Sequence, residues 1–142
     1  MQYLAQKYAP ELLGGTPARS AEIDMVFAQM KDVKQTITGP CYLANDRRKL
    51  INLAKQKMEP LIAYLGKKDF LLGEDLTFID FYMLELVDFV EWLSEQTLLS
   101  AHKPLTRYVK RMKALKRVKV YMKSEKYLEK PFNNKVAKIN NL

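Results

Sequence analysis

Four acidic side chains within one apolar stretch are the first candidates for chemistry in this sequence. Carboxylates grouped on a helix can hold a metal ion or act as general acid and base, but di-metal helix bundles pair Glu with a nearby His, and His102 is the only histidine. We therefore predict no metal site. One of these acids should cap a helix, and the others should form a solvated strip; the four are Asp80, Glu85, Asp88 and Glu91.

The sequence offers one cysteine for thiol chemistry. Cys41 is the only cysteine, so an internal disulfide is excluded and a reducing, cytoplasmic location is expected. With no histidine or lysine close by in the sequence to activate it, we predict that Cys41 occupies a core position. Gly14-Gly15 leads into Thr16-Pro17 and not into a phosphate-binding Gly-Lys-Ser/Thr motif. The residue types alone predict no catalytic centre and no cofactor.

The charge of the chain is strongly uneven. There are 24 Lys and Arg against 16 Asp and Glu, a formal charge of +8. Residues 1–102 hold 11 basic and 14 acidic side chains, whereas residues 103–142 hold 13 basic and 2 acidic ones. A basic segment of this kind suits nucleic acid or an acidic membrane surface. We favour the simpler interpretation, surface helices covered by solvated lysines, and do not expect a nucleic-acid partner.

The elements that must position these side chains are helices. Only 5 Gly and 6 Pro occur in 142 residues, and alternating strand patterns do not recur. Apolar residues follow helical spacing at about residues 1–8, 17–38, 46–65, 78–93, 103–115 and 118–124. We predict an all-α fold, a bundle of five or six helices in one domain spanning residues 1–142. The longest apolar stretch, 78–93, is too short and too charged to span a bilayer.

Local signals set the expected helix ends. Thr77 and Asp80 have the spacing of a capping box at the start of the helix over 78–93, which we predict to be the buried central one. Gly39-Pro40 should end the second helix, and Pro60 should kink the third. Asn45 or Asp46 is the predicted N-cap of that third helix, and residues 128–142 form a tail with little periodicity.

Three segments carry a family resemblance. Residues 3–8 (YLAQKY), 65–81 (LGKKDFLLGEDLTFIDF) and 121–127 (YMKSEKY) resemble the C-terminal helical domain of cytosolic glutathione transferases, with the mu class as the closest match. The resemblance runs through almost the whole chain in the right order. It implies a parent enzyme whose thioredoxin-like N-terminal domain binds glutathione and activates its thiol. Residues 1–9 resemble the last helix of that domain, which is otherwise missing from this chain.

The resemblance also implies roles for residues on the second helix. Asp32 matches an aspartate that reaches the glutathione site of the neighbouring subunit in a homodimer. Tyr42 matches a tyrosine whose hydroxyl points into the electrophile pocket, and Gln35 and Thr38 match further positions that face this pocket. Thr77 and Asp80 match the family's capping box, which is a folding element. Because Gly39-Pro40 is expected to break the helix, the placement of the Tyr42 hydroxyl depends on that break.

Two functions follow as hypotheses. The first is the electrophile-site and dimer-interface domain of a mu-like glutathione transferase, which conjugates glutathione to hydrophobic electrophiles in detoxification. Because the thiol-activating group lies in the missing domain, we expect little or no activity from the chain alone. The alternative is a non-catalytic protein- or RNA-binding module of the same fold, using the basic side chains Lys110, Arg111, Lys113, Lys116 and Arg117.

Overall fold

The all-helical architecture predicted from the sequence is confirmed in a computed structural model, which describes residues 1–43, 46–128 and 133–141. Within these ranges there are seven α-helices, no strand, and one isolated bridge between Phe70 and Gly73. The helices are α1 Gln2–Tyr8, α2 Pro17–Leu43, α3 Arg47–Leu65, α4 Phe78–Leu93, α5 Leu98–Ala101, α6 Lys103–Ala114 and α7 Lys116–Met122. Two 3₁₀ helices, Pro10–Leu13 and Lys138–Asn141, complete the described elements.

The helix α4 is the centre of the bundle, as predicted. It contacts α2, α3, α5 and α6, and ten of its sixteen residues are buried. A helix that is apolar on most sides is stable only when neighbours cover it on most sides. The long pair α2 and α3 packs on one side of α4, and α6 contributes Leu105, Tyr108, Val109 and Met112 from another.

The capping box at the start of α4 is present. The backbone N–H of Thr77 donates to Asp80 Oδ2 at 2.8 Å, and the Thr77 hydroxyl donates to the same oxygen at 2.9 Å. The other carboxylate oxygen accepts from the Leu71 N–H at 2.8 Å and from the Tyr108 hydroxyl at 3.0 Å. Asp80 therefore joins the loop before α4, the helix start and α6 through one fully buried carboxyl group.

The predicted break at Gly39-Pro40 is wrong. The helix α2 runs through Pro40 to Leu43. A proline disfavours helical backbone at the preceding residue partly through contact with that residue's Cβ, and Gly39 has none. Burial on both sides of the proline stabilises the last turn, because Ile37 and Cys41 are fully buried. Only the hydrogen bond to the carbonyl four residues back is lost.

The third helix starts as expected and is continuous. Asp46 is its N-cap and accepts from the Lys49 N–H at 3.2 Å, while Asn45, the other predicted cap, lies outside the described residues. Pro60 lies inside α3, which is one continuous helix to Leu65. A proline is tolerated there because Met58, Leu61 and Ile62 are buried around it.

Two regions differ from the sequence prediction. The four-residue helix α5 was not predicted, which brings the described α-helices to seven, and α7 begins two residues earlier than expected. The C-terminal segment is more than a tail, because the 3₁₀ helix Lys138–Asn141 packs on α2. Ala137 and Ile139 are fully buried in the common core. Two apolar side chains separated by one residue are too few to give a periodic signal.

Candidate functional site

The residues singled out on the second helix lie along one side of α2. Steps of three, three and four positions separate Asp32, Gln35, Thr38 and Tyr42, and α2 is continuous through all of them. At 3.6 residues per turn, the last three fall within roughly 60° around the helix axis. A different side of α2 faces the core through Ile23, Val26, Met30, Val33, Ile37 and Cys41.

These four side chains differ in exposure. Asp32 and Gln35 are exposed, whereas Thr38 and Tyr42 are half-buried, and Tyr42 packs against the core. Thr38 Oγ1 is buried and has no hydrogen-bond partner among the described residues. A buried hydroxyl that lacks a partner costs about 1–3 kcal/mol. Because this oxygen is closed to solvent, a ligand group could pair with it only if neighbouring side chains moved.

An aromatic cluster lies where α2 packs against α4. The Phe27 ring meets the rings of Phe78 and Tyr82 edge to face, with centroid separations of 5.4 and 5.1 Å. Lys34 Nζ lies 5.2 Å from the centre of the Tyr82 ring and 2.7 and 2.6 Å from the two carboxylate oxygens of Glu85. Burial raises the pKa of Tyr82, and the neighbouring Lys34 charge opposes that rise. The cluster is therefore an apolar wall with an ion pair at its edge.

Cys41 is a buried structural residue. It is fully buried on α2, in the helix that the C-terminal segment covers. Burial raises the pKa of its thiol, and the neighbouring Asn133 side chain opposes this. A thiol with a raised pKa stays protonated and is a poor nucleophile. The predicted core position is confirmed.

The strip of acids on α4 is not merely solvated, which corrects the prediction. Glu85 pairs with Lys34 on α2, and Asp88 accepts from Lys113 Nζ on α6 at 2.7 Å. Glu91 accepts from the Leu99 N–H of α5 at 2.9 Å. Each of these acids ties α4 to another helix, because α4 is surrounded and few of its side chains reach open solvent.

Within residues 1–43, 46–128 and 133–141, no group of three or more His, Cys, Asp or Glu side chains is placed to hold a metal ion.

A groove between α4 and α7 was missed by the sequence reasoning. Its volume is about 340 Å³, and it is mostly apolar. Phe81 and Leu84 line it from α4, Val118 and Met122 from α7, and Tyr127 from the segment that follows. The sequence of α7 indicates that it has an apolar side, because about half of its residues are apolar. It does not indicate which helix that side faces.

Comparisons with known proteins place this helical arrangement in a family. A family model described as "Glutathione S-transferase, C-terminal domain" matches residues 27–125, which include α3, α4, α5, α6, α7 and most of α2. The chain belongs to this glutathione S-transferase family. The predicted resemblance is thereby confirmed. The match contains Asp32, Gln35, Thr38 and Tyr42 of α2.

Mu-class glutathione S-transferases are among the similar proteins. The chain is 29% identical over 140 residues to glutathione S-transferase Mu 4 of Rattus norvegicus, covering 96% of this chain and 63% of that protein. It is 28% identical over 144 residues to glutathione S-transferase Mu 1 of the same species, covering 99% and 65%. The Mu 1 enzyme of Bos taurus gives 28% over 141 residues, covering 96% and 63%. The chain thus spans less than two thirds of the length of these relatives.

The structure also separates the basic residues named for the alternative function. Arg111 Nη2 lies 2.7 Å from Asp69 Oδ1, and Lys113 pairs with Asp88. These two side chains link α6 to the loop after α3 and to α4. Lys110, Lys116 and Arg117 are exposed and have no ion-pair partner in the described part of the chain. Every helix within that part is too short or too polar to cross a membrane.

Proposed function

We propose that this chain forms the electrophile-site and subunit-interface domain of a mu-like glutathione transferase, acting on glutathione and hydrophobic electrophiles as a homodimer in the cytosol. The observation that carries the proposal is the family match over residues 27–125, which includes Asp32, Gln35, Thr38 and Tyr42 on one continuous helix. The similarity to three mu-class relatives supports the class. A single domain over residues 1–142, with 1–9 matching the end of a preceding domain, is part of this proposal.

The proposed chemistry assigns a task to each of these positions. The thiolate of glutathione attacks an electrophilic carbon, a carbon–sulfur bond forms, and the leaving group or developing negative charge needs a hydrogen-bond donor. Tyr42 supplies that donor from its hydroxyl. Thr38 and Gln35 line the electrophile pocket from the same side of α2. Asp32, exposed on α2, pairs with the amine of glutathione bound to the neighbouring subunit.

The proposal divides the enzyme between two domains. The chain spans 63–65% of the mu-class relatives, so the thiol-activating group and most glutathione contacts are assigned to the remaining part. We expect the 142-residue chain alone to give little or no turnover with glutathione and a chlorinated nitroaromatic acceptor. Vigorous turnover by the chain alone would contradict this division of labour.

A chimera tests the catalytic half of the proposal. The N-terminal third of rat glutathione S-transferase Mu 1, which this chain does not match, is fused ahead of it, and chloride release from the acceptor is measured. We expect the chimera to be active and Tyr42→Phe to lower its kcat by about 100-fold or more, since one hydrogen-bond donor to developing charge is lost. Tyr121→Phe is the matched control, because it makes the same chemical change on α7. Equal kcat in both variants would remove Tyr42 from the reaction.

A further inference from the structure

The exposed cations of the consecutive helices α6 and α7 are a second feature, independent of the proposed transferase site. On α6, Lys103, Arg107 and Lys110 are spaced four and three residues apart, opposite the buried side of that helix. On α7 and at its end, four further cations are exposed. We call these seven side chains the basic face: Lys103, Arg107, Lys110, Lys116, Arg117, Lys119 and Lys123.

No acidic side chain of α6 or α7 neutralises the positive charge of the basic face. No acidic residue occurs between positions 103 and 123. The two other cations of this stretch point elsewhere, since Arg111 pairs with Asp69 and Lys113 with Asp88. None of the seven side chains has an ion-pair partner in the described ranges. Ion pairs therefore neutralise Arg111 and Lys113 at the sides of α6. The side of α6 that carries Lys103, Arg107 and Lys110 stays positively charged.

The residue types on the basic face disfavour a folded protein partner. Five of the seven cations are lysines. Lysine is depleted at protein–protein interfaces and arginine is enriched, because the guanidinium group makes paired, directional hydrogen bonds. An ammonium group is a compact point charge on a flexible stem, and it suits a target whose anions have no fixed positions.

The surroundings of the basic face disfavour single-stranded nucleic acid. Proteins that bind it combine cations with aromatic rings on which bases stack. On α6 the only aromatic residue, Tyr108, is fully buried and hydrogen-bonded to Asp80. On α7 the only one is Tyr121, which lines the groove toward α4 and meets the Tyr127 ring edge to face. Two uncharged side chains of α7 are exposed among its cations, Val120 at 65% and Tyr121 at 52%, so a single ring is available there and not a row of stacking rings.

We propose that the basic face binds the surface of a membrane containing anionic phospholipids. Fluid headgroups present dense negative charge without fixed geometry, which matches lysine-rich helix faces. Each Lys or Arg near such a surface strengthens binding about fivefold, and the effect is weakened by salt. Val120 adds a small apolar contact at the headgroup level. The contact is peripheral, through α6 and α7.

Vesicle co-sedimentation tests this proposal with the whole 142-residue chain. At about 0.1 M salt, we expect the chain to sediment with vesicles of phosphatidylcholine containing about 30% phosphatidylserine, and not with pure phosphatidylcholine. The triple variant Lys103→Gln, Arg107→Gln, Lys110→Gln should weaken the partition constant by roughly 100-fold, from about fivefold per cation. Raising the salt should release the wild-type chain.

A matched control distinguishes the effect of the basic face from the effect of the total charge of the chain. Arg48, Lys57 and Lys67 are exposed on or just after α3 and have no ion-pair partner in the described residues, so their joint replacement by Gln removes the same charge. We expect vesicle binding of this control to fall no more than about fivefold, because only long-range attraction is reduced. Equal weakening in both triple variants would overturn the proposal, as would failure of the wild-type chain to bind. Tighter binding to an oligouridine than to the anionic vesicles would overturn it in favour of RNA.

Discussion

Two polar side chains within helices of this protein, Asp80 on α4 and Thr38 on α2, have opposite surroundings. Asp80 is fully buried, and its two carboxylate oxygens accept hydrogen bonds from Leu71, Thr77 and Tyr108. The Thr38 hydroxyl is also buried, yet no described residue pairs with it. One site is complete within the fold, and the other is left with unused hydrogen-bonding capacity.

This contrast distinguishes a folding element from a proposed binding position. A satisfied buried network makes a helix start and its neighbours rigid, and it gains nothing from a ligand. A buried hydroxyl without a partner weakens the fold slightly, and a bound partner can remove that cost. The family's capping box and the proposed electrophile pocket therefore leave different physical signatures. The three predictions that follow test whether those signatures are real.

The largest effect is expected from Asp80→Ala. The substitution leaves the N–H groups of Leu71 and Thr77 and the Thr77 hydroxyl buried without their acceptor, whereas the Tyr108 hydroxyl keeps the backbone carbonyl of residue 80. Each such donor costs about 1–3 kcal/mol, so the free energy of unfolding should fall by about 4 kcal/mol. Urea unfolding followed by circular dichroism measures it.

A matched acid on the surface provides the control for that loss. Asp24 is exposed on α2, and Asp24→Ala should change the free energy of unfolding by less than about 0.5 kcal/mol. If Asp80→Ala costs no more than Asp24→Ala, the capping box is not a major source of stability.

The ionisation of Asp80 gives the second prediction. Burial raises its pKa above the ordinary value of 3.8, although hydrogen bonds from Leu71, Thr77 and Tyr108 oppose the rise. Between 3.8 and the raised value the folded state holds more protons than the unfolded state, so this group's contribution to stability falls as the pH rises. Below and above that window the contribution is constant.

The variant Asp80→Asn isolates this contribution from the other acids. We expect the difference in unfolding free energy between wild type and Asp80→Asn to shrink as the pH rises through the window that opens at 3.8. A difference that grows with pH would mean that the four donors outweigh burial and lower the pKa of Asp80.

The smallest effect is expected at the other member of the pair. Thr38→Val removes the hydroxyl and keeps the side-chain shape, so no hydrogen bond within the described structure is lost. The free energy of unfolding should stay the same or rise by up to about 1 kcal/mol. Thermal unfolding measures this change, with Thr77→Val as the comparison, because Thr77 donates to Asp80. A clear loss of stability in Thr38→Val would show that its hydroxyl already has a partner.

Much of the helical framework was predictable because its signals are local. The start of α4 follows from Thr77 and Asp80, and that of α6 from Lys103-Pro104, since caps and prolines act within one turn. The end of α2 was not predictable by the same rule. Gly39-Pro40 is a local breaker, and burial of Ile37 and Cys41 in the core outweighs it.

The candidate site was predictable in one respect and not in another. The spacing of Asp32, Gln35, Thr38 and Tyr42 places them on one side of a helix only if that helix is unbroken. The sequence predicted a break at Gly39-Pro40, whereas α2 is continuous in the structure. The groove beside α7 and the ion pair of Lys34 with Glu85 join residues far apart in the chain. Such contacts depend on how helices pack, and no pattern within one helix specifies them.

By itself the sequence determined the helical class, the central place of α4, its capping box and the family. These features follow from side-chain periodicity and from hydrogen bonds that span three or four residues. Only the tertiary structure decided that α2 continues through Pro40, that Ile139 joins the core, and that Thr38 Oγ1 has no partner among the described residues. The physical reason is that burial is a property of the packed bundle, and a neighbour distant in sequence can outweigh a local preference.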